Sequence, residues 1–347
     1  MKDVVMKDVI IRSTGSYTPD DRLTNAWFIE HLDTTNEWIV KRTGIKERRR
    51  AVPGETTSDM GYQAVKRCLE KANVKPSEIG LLICATVTGD TNFPATGKWI
   101  QAKFKFKHFD CWSWDLKSGC TSFLDALAPA AAMLQTGMVK YAVVVAAEMM
   151  TSLANYQDRA TCILFGDAAA CVLLEAVDPS ENPFGYGIKN FHFDSDPTKT
   201  DLLIQLAGGS KEPITQANIA SGRQYLHMDG NRVYRAAVNS MVASAKKISE
   251  QAGLRVTDFD WWVFHQANQR ISEEVARRLR LPFDRVFNNI AEFGNTSGAT
   301  LPLCLDQMAT QGLLHPGQQI GFISFGTGFS GAGCRISIGH LPETAKK

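Results

Sequence analysis

Three side chains set far apart along the chain have chemical meaning as a set: Cys120, His265 and Asn295. Cys120 lies in Trp114-Asp115-Leu116-Lys117-Ser118-Gly119-Cys120-Thr121-Ser122-Phe123, where an apolar run meets small residues and then a helical pattern over Leu124–Gln135. A thiol at a strand-to-helix turn projects from the backbone. The free N–H groups of the helix start are expected to favour its thiolate, the nucleophilic form. The competing use of such a cysteine is as a small buried hydrophobe. His265 closes the apolar run of Val263-Phe264-His265-Gln266-Ala267-Asn268-Gln269-Arg270-Ile271, and reactive groups gather at strand C-terminal ends in α/β sheets. A core histidine bonded to a backbone carbonyl is the alternative. Asn295 sits in the glycine-flanked segment Phe293-Gly294-Asn295-Thr296-Ser297-Gly298, as a reactive amide or simply a turn former or N-cap.

A fourth segment, Gly326-Thr327-Gly328-Phe329-Ser330-Gly331, matches G-x-G-x-x-G as a string. A dinucleotide site needs a helix after that string, within a βαβ unit, whereas a strand pattern follows here. Two uses are left: backbone N–H groups brought close to a reacting carbonyl as an oxyanion hole, or a glycine-rich hairpin. Cysteine, histidine and asparagine converging on one cleft suit acyl transfer. The thiolate accepts the acyl group, and the imidazole and amide donate hydrogen bonds to a thioester enolate.

The elements that must position these groups alternate between strand and helix. Strands are expected over Val9–Ser13, Ile79–Val87, Cys111–Leu116, Tyr141–Ala147, Ala169–Glu175, Gly187–Asp194, Phe259–His265, Gly321–Ser324 and Cys334–Ile338. Helices are expected over Ser58–Ala72, Ala95–Phe104, Cys120–Gln135, Asp229–Gln251, Gln269–Leu279 and Leu301–Gln311. Continuously apolar strands separated by helices indicate α/β sheets covered on both faces.

The chain also echoes itself. Lys75-Pro76-Ser77-Glu78-Ile79 leads into an apolar run, as does Val256-Thr257-Asp258-Phe259-Asp260. Ile163-Leu164-Phe165-Gly166-Asp167-Ala168 follows a strand, Phe-Gly, small-residue plan that Ile323-Ser324-Phe325-Gly326-Thr327-Gly328 repeats. Two echoes in the same order indicate a duplicated α/β unit. The halves, 1–178 with the cysteine and 179–347 with the histidine and asparagine, meet at the turn-rich Asp178-Pro179-Ser180-Glu181-Asn182-Pro183. Residues 194–227, polar and weakly periodic, read as a loop or lid over a site.

Composition is that of a globular protein, 44% hydrophobic and 21% charged. A formal net charge of +2 argues against a nucleic-acid binder held by bulk charge. No two of the eight cysteines form C-x-x-C, which disfavours a zinc knuckle, so no metal is expected. Most lie in apolar runs and read as reduced core thiols of a cytoplasmic protein. Met1–Asp8 does not read as a signal peptide, and no apolar run reaches the roughly 18 residues of a membrane span.

The four segments together resemble the β-ketoacyl-acyl carrier protein synthase III family, of the thiolase fold. The likeness runs nearly end to end and includes Asn36-Glu37-Trp38-Ile39-Val40-Lys41-Arg42-Thr43-Gly44-Ile45. It implies duplicated halves forming a layered α-β-α-β-α core, and a decarboxylative Claisen condensation. Acyl-CoA would acylate Cys120. His265 and Asn295 would hold the thioester carbonyl of a malonyl-acyl carrier protein as CO2 leaves. Acyl-CoA is then a substrate, and no cofactor is implied.

By the same resemblance, backbone N–H groups of Cys120 and Thr327 match the oxyanion hole. Trp38 and Arg159 match residues that hold the CoA adenine, Arg42 one near its phosphates, and Asn268 one beside pantetheine. Phe93 matches an aromatic that enters the partner subunit's acyl pocket, which implies a homodimer. Arg235, Arg270, Arg277 and Arg278 match the basic patch for the acidic carrier protein. The chain departs from the family at Lys117-Ser118, at Thr121-Ser122 and at Thr327, where the family's glycine implies a positive φ that would strain threonine. These departures bear on the primer and point to a specialised pathway. A different thiolase-fold acyltransferase or a polyketide-type synthase with another acceptor is the alternative. A cysteine peptidase can also order Cys, His and Asn along its chain, but the sequence around Cys120 is not peptidase-like.

Overall fold

The computed structural model describes residues 6–105 and 110–342, so the first five residues of the N-terminal stretch read above lie outside it. The first half runs β1 (Asp8–Tyr17), β2 (Asp21–Thr24), α1 (Asn25–His31), α2 (Asn36–Thr43), β3 (Glu47–Arg50) and α3 (Thr57–Ala72). It continues with β4 (Leu81–Ala85), α4 (Thr96–Lys103), β5 (Trp112–Leu116), α5 (Ser122–Gln135), β6 (Tyr141–Met149) and β7 (Asp167–Val177). The second half runs β8 (Gly187–Ser195), β9 (Leu203–Gln205), α6 (Gln216–Ala220), β10 (Leu226–Met228), α7 (Gly230–Ala252) and β11 (Trp261–Phe264). Then come α8 (Gln269–Leu279), β12 (Val286–Phe287), α9 (Ile290–Phe293), α10 (Thr300–Thr310), β13 (Gln319–Gly326) and β14 (Ser330–Ser337).

Two five-stranded sheets result, β1-β7-β6-β4-β5 and β8-β14-β13-β11-β12. They share one plan. The fourth strand is parallel to the third and fifth, while the second is antiparallel to its two neighbours.

Successive strand residues point to opposite faces, and here both faces are buried. Ile83, Val144 and Val172 face inward with Phe123, Leu124 and Leu127 of α5 and Leu301, Leu303 and Met308 of α10. Their neighbours Leu82, Val143, Cys171 and Leu173 face outward onto α3. In the second sheet Phe322 and Ile336 face the central helices, while Trp262, Phe264 and Ile323 face α7 and α8. The layers are therefore helix, sheet, paired central helices, sheet, helix, as the resemblance implied.

Every expected strand and helix has a counterpart, with ends that move by a few residues. The short pairs β2–β3 and β9–β10 were not foreseen, because four- and three-residue strands show too little alternation. Residues 194–227 are correspondingly not a plain loop. They carry β9, α6 and β10, and they wall one side of the central cavity.

Candidate active site

The two halves enclose a cavity of about 1100 Å³. Its lining includes residues that follow β5 and β11 and residues of the β13–β14 turn, and Cys120, His265, Asn295 and Thr327 are among them.

The duplicated Phe-Gly segments hold these groups across the seam. In the first half, Phe165 bridges to Asn295, Gly166 N–H donates to the Asn295 carbonyl at 3.1 Å, and Asn295 N–H donates to the Leu164 carbonyl at 2.8 Å. A Cβ on Gly166 would lie 2.2 Å from the Phe293 carbonyl oxygen, so only glycine fits there. In the second half, Ser324 Oγ donates to the Cys120 carbonyl at 2.8 Å, and a Cβ on Gly326 would meet Cys120 N at 3.0 Å. Each half thus braces the reactive residue of the other.

Cys120 sits in a single 3-10 turn, Gly119–Thr121, directly ahead of α5. Gly119 has φ +63, and a Cβ there would lie 2.4 Å from Thr327 Oγ1. Among the described residues Cys120 N–H, at the start of this helical stretch, finds no backbone acceptor. Thr327 N–H likewise finds no backbone acceptor among the described residues. Two N–H groups without a backbone acceptor among the described residues therefore belong to residues that line the cavity with the sulfur. Thr327 is not among the described non-glycine residues with positive φ, so the expected strain at that position is absent. The turn is also a hairpin, as its alternative reading held.

The thiolate expected from the helix start is not what the surroundings favour. Burial pushes the Cys120 thiol up to about 12; the Ser297 hydroxyl offsets this only in part, and the Glu148 charge adds to it. Desolvation of an anion outweighs the attraction of a helix terminus, so the resting sulfur carries its proton. His265 is also fully buried, and burial drives it down to about 3. Its ring nitrogens have no partner among the described residues, which does not fit the structural role of bonding a backbone carbonyl. Leaving a buried polar group unpaired costs about 1–3 kcal/mol. A neutral imidazole aimed into a cavity can donate one hydrogen bond to an incoming oxygen.

Asn295 is set in a complementary way. Ser297 N–H donates to its Oδ1 at 2.9 Å, which leaves the amide NH2 for the cavity.

The other residues matched by resemblance fall in several places. Trp38, Arg42, Arg159 and Asn268 line the same cavity. Both guanidiniums lie over the Trp38 ring, Arg42 at 4.6 Å and Arg159 at 5.1 Å from its centroid. Asn268 caps α8 by accepting from Arg270 N–H at 2.9 Å. Phe93 lies outside its own chain's cavity with 86% of its surface exposed. Arg235, Arg270, Arg277 and Arg278 are exposed. Glu274 pairs with Arg277 at 2.7 Å and Arg278 at 2.8 Å, so part of that positive charge is neutralised within α8.

Two polar residues behind the thiol, Glu148 and Ser297, escaped the sequence reading. Glu148 is the penultimate residue of the otherwise apolar strand β6, and an acidic residue at that place was the available signal. Ser297 has φ +52 and gave no comparable sign.

A thiol nucleophile with an imidazole and a carboxamide at the seam of two like halves defines the class of thiolase-fold condensing enzymes. The comparisons narrow it. Residues 114–197 match the family described as 3-oxoacyl-[acyl-carrier-protein (ACP)] synthase III, and residues 249–338 match its C-terminal part. The chain is 41% identical over 326 residues to a β-ketoacyl-[acyl-carrier-protein] synthase III of Clostridium acetobutylicum, covering 94% of this chain and 97% of the relative. Against the corresponding crystal structure from Thermus thermophilus the TM-score is 0.86 at 34% identity, covering 95% of this chain and 99% of the other. Against the priming β-ketosynthase of the R1128 polyketide pathway it is 0.88 at 32% identity, covering 99% of each. The chain belongs to the β-ketoacyl-acyl carrier protein synthase III family.

Proposed function

We propose that this chain joins an acyl group from acyl-CoA to a malonyl thioester on acyl carrier protein, by decarboxylative Claisen condensation. The observation that carries this reading is the shared cavity of Cys120, His265 and Asn295, with both ring nitrogens of His265 unpartnered among the described residues. Cys120 Sγ attacks the acyl-CoA carbonyl. The N–H groups of Cys120 and Thr327 receive the oxyanion, and CoA leaves. The malonyl thioester carbonyl then accepts hydrogen bonds from His265 and the Asn295 amide. As CO2 departs, the electron pair of the broken carbon–carbon bond stays on the substrate as the enolate those donors stabilise, and the enolate carbon attacks the acyl-enzyme.

Around this centre, Trp38, Arg42, Arg159 and Asn268 hold CoA, which enters as a substrate with no further cofactor. The exposed arginines 235, 270, 277 and 278 receive the acidic carrier protein. Phe93 serves a second copy of the chain in a homodimer. The halves divide near residue 178. Eight free cysteines suit a cytoplasmic setting, and no helix among the described residues is long and apolar enough to cross a membrane. The match to a polyketide priming synthase supports a second setting for the same chemistry, a specialised pathway.

Intact-protein mass spectrometry after exposure to acetyl-, isobutyryl-, hexanoyl- and succinyl-CoA tests the reading. One acyl group should add to the wild type and none to Cys120→Ala. No acylation by any of the four would sink it. A clear preference for acetyl-CoA would count against the specialised pathway.

A further inference from the structure

The condensation as written leaves one step without an agent: a protonated thiol must lose its proton as it attacks. His265 is poorly suited, because burial disfavours the charged form its ring would take on with the proton. Glu148 is fully buried, directly behind the thiol, and pairs with no cation among the described residues. Its Oε2 accepts from Thr88 Oγ1 at 2.7 Å, Val87 N–H at 3.1 Å and Thr86 Oγ1 at 3.3 Å. Its Oε1 accepts from Ser297 Oγ at 3.2 Å, and Ser297 Oγ lies 3.8 Å from Cys120 Sγ, which donates to it. The three groups form a continuous donor chain across 177 residues of sequence, from sulfur to hydroxyl to carboxylate.

We propose that Ser297 and Glu148 form a relay that accepts the Cys120 proton during acylation and returns it when the condensed product leaves. This rests on the proposed function. In the first half, Cys120 Sγ bonds to the acyl carbon and the bond from that carbon to CoA sulfur breaks. The thiol proton passes to Ser297 Oγ, and the Ser297 proton to Glu148 Oε1. CoA departs as a thiolate and takes a proton from water. In the second half, the enolate carbon bonds to the acyl carbon and the bond to Cys120 Sγ breaks. The thiolate recovers its proton from Glu148 through Ser297. Each half balances, and the cycle consumes one proton, the one CoA carries away.

Only the carboxylate form of Glu148 can accept a proton, and its surroundings suit that duty. Burial raises it to about 7, while hydrogen bonds from Thr88, Val87, Ser297 and Thr86 hold it from rising further. The titratable groups that sense its charge are the Cys120 thiol and the buried Cys84 thiol on β4. Of the other nearby acids, Asp115 is occupied by the N–H groups of Thr96 and Gly97, and Asp90 by Ser58. A purely structural carboxylate would only tie the Thr86–Thr88 segment, a duty that glutamine can share.

The test reads Cys120 directly in Glu148→Gln and Ser297→Ala. Acylation by the best of the four acyl-CoAs and alkylation by iodoacetamide are both followed by mass spectrometry from about pH 5 to about pH 9. Wild-type acylation should climb as pH passes about 7. Both variants should lose that step and acylate on the order of 10²-fold more slowly. KM for acyl-CoA should hold while kcat falls. A folded variant with the wild-type rate and profile overturns the relay, and so does a wild-type profile flat through neutrality. If Glu148→Gln does not fold, Ser297→Ala decides. If no acyl-CoA labels the wild type, the proposed function fails, and the alkylation profile still tests the relay.

Discussion

Glu148, Cys120 and His265 are all ionisable, all buried, and all shifted toward their neutral forms. Such shifts affect stability, and their signs differ. Glu148 rises from 4.5 to about 7, so the folded protein binds its proton more tightly than the unfolded chain does. Its contribution is present below pH 4.5 and is lost as pH climbs toward 7. Glu148→Gln removes that loss. Its melting temperature at alkaline pH should equal or exceed that of the wild type, even as acylation slows. His265 falls from 6.5 to about 3, so the unfolded chain takes up a proton that the folded protein refuses. Stability from this group is present above 6.5 and is lost as pH falls toward 3. His265→Gln should therefore melt with less sensitivity to acid. It should still acquire an acyl group, but condense with malonyl thioester on the order of 10²-fold more slowly, because a donor to the enolate is gone. Loss of acylation in a folded His265→Gln would reassign the residue to the first half of the reaction.

At the scale of elements, the decisive features are the two Phe-Gly segments, one at the end of β13 and the other in the turn ahead of β7. Each was visible as an echo in the sequence, but the echo did not reveal that they cross over. Phe165-Gly166 grips the Asn295 loop, and Ser324-Phe325-Gly326 grips Cys120. Gly166→Ala places a methyl against the Phe293 carbonyl and Arg48. Overpacking of this kind costs about 1–3 kcal/mol and displaces backbone. Denaturant unfolding should show the loss. Acylation and condensation should both suffer, because the displaced loop carries the relay hydroxyl of Ser297 as well as Asn295. Wild-type acylation in a variant that has lost condensation would count against the relay.

For the whole molecule, a net charge of +2 conceals a local imbalance. Arg235 and Arg270 stand on or beside the α7–α8 face without a carboxylate within ion-pair distance among the described residues, whereas Arg277 and Arg278 share Glu274. Charge reversal at Arg235 should therefore raise KM for the malonyl carrier protein more than reversal at Arg277. The effect should shrink at high salt and leave Cys120 acylation intact. Equal effects at both positions would mean that Glu274 releases its arginines when the carrier docks.

Strand and helix positions, the duplication, and the candidates Cys120, His265 and Asn295 could be read from the chain, because periodicity, capping and turn chemistry act over a few residues. The site was legible only in part. Glu148 and Ser297 are 149 residues apart and meet only after both sheets have closed on the central helices. The ionisation of the thiol was likewise beyond local inference. The sequence placed a helix start behind Cys120, which favours an anion. Tertiary packing removed the water around it, which disfavours one. Desolvation depends on every neighbour a side chain acquires, so the fold alone could decide between them.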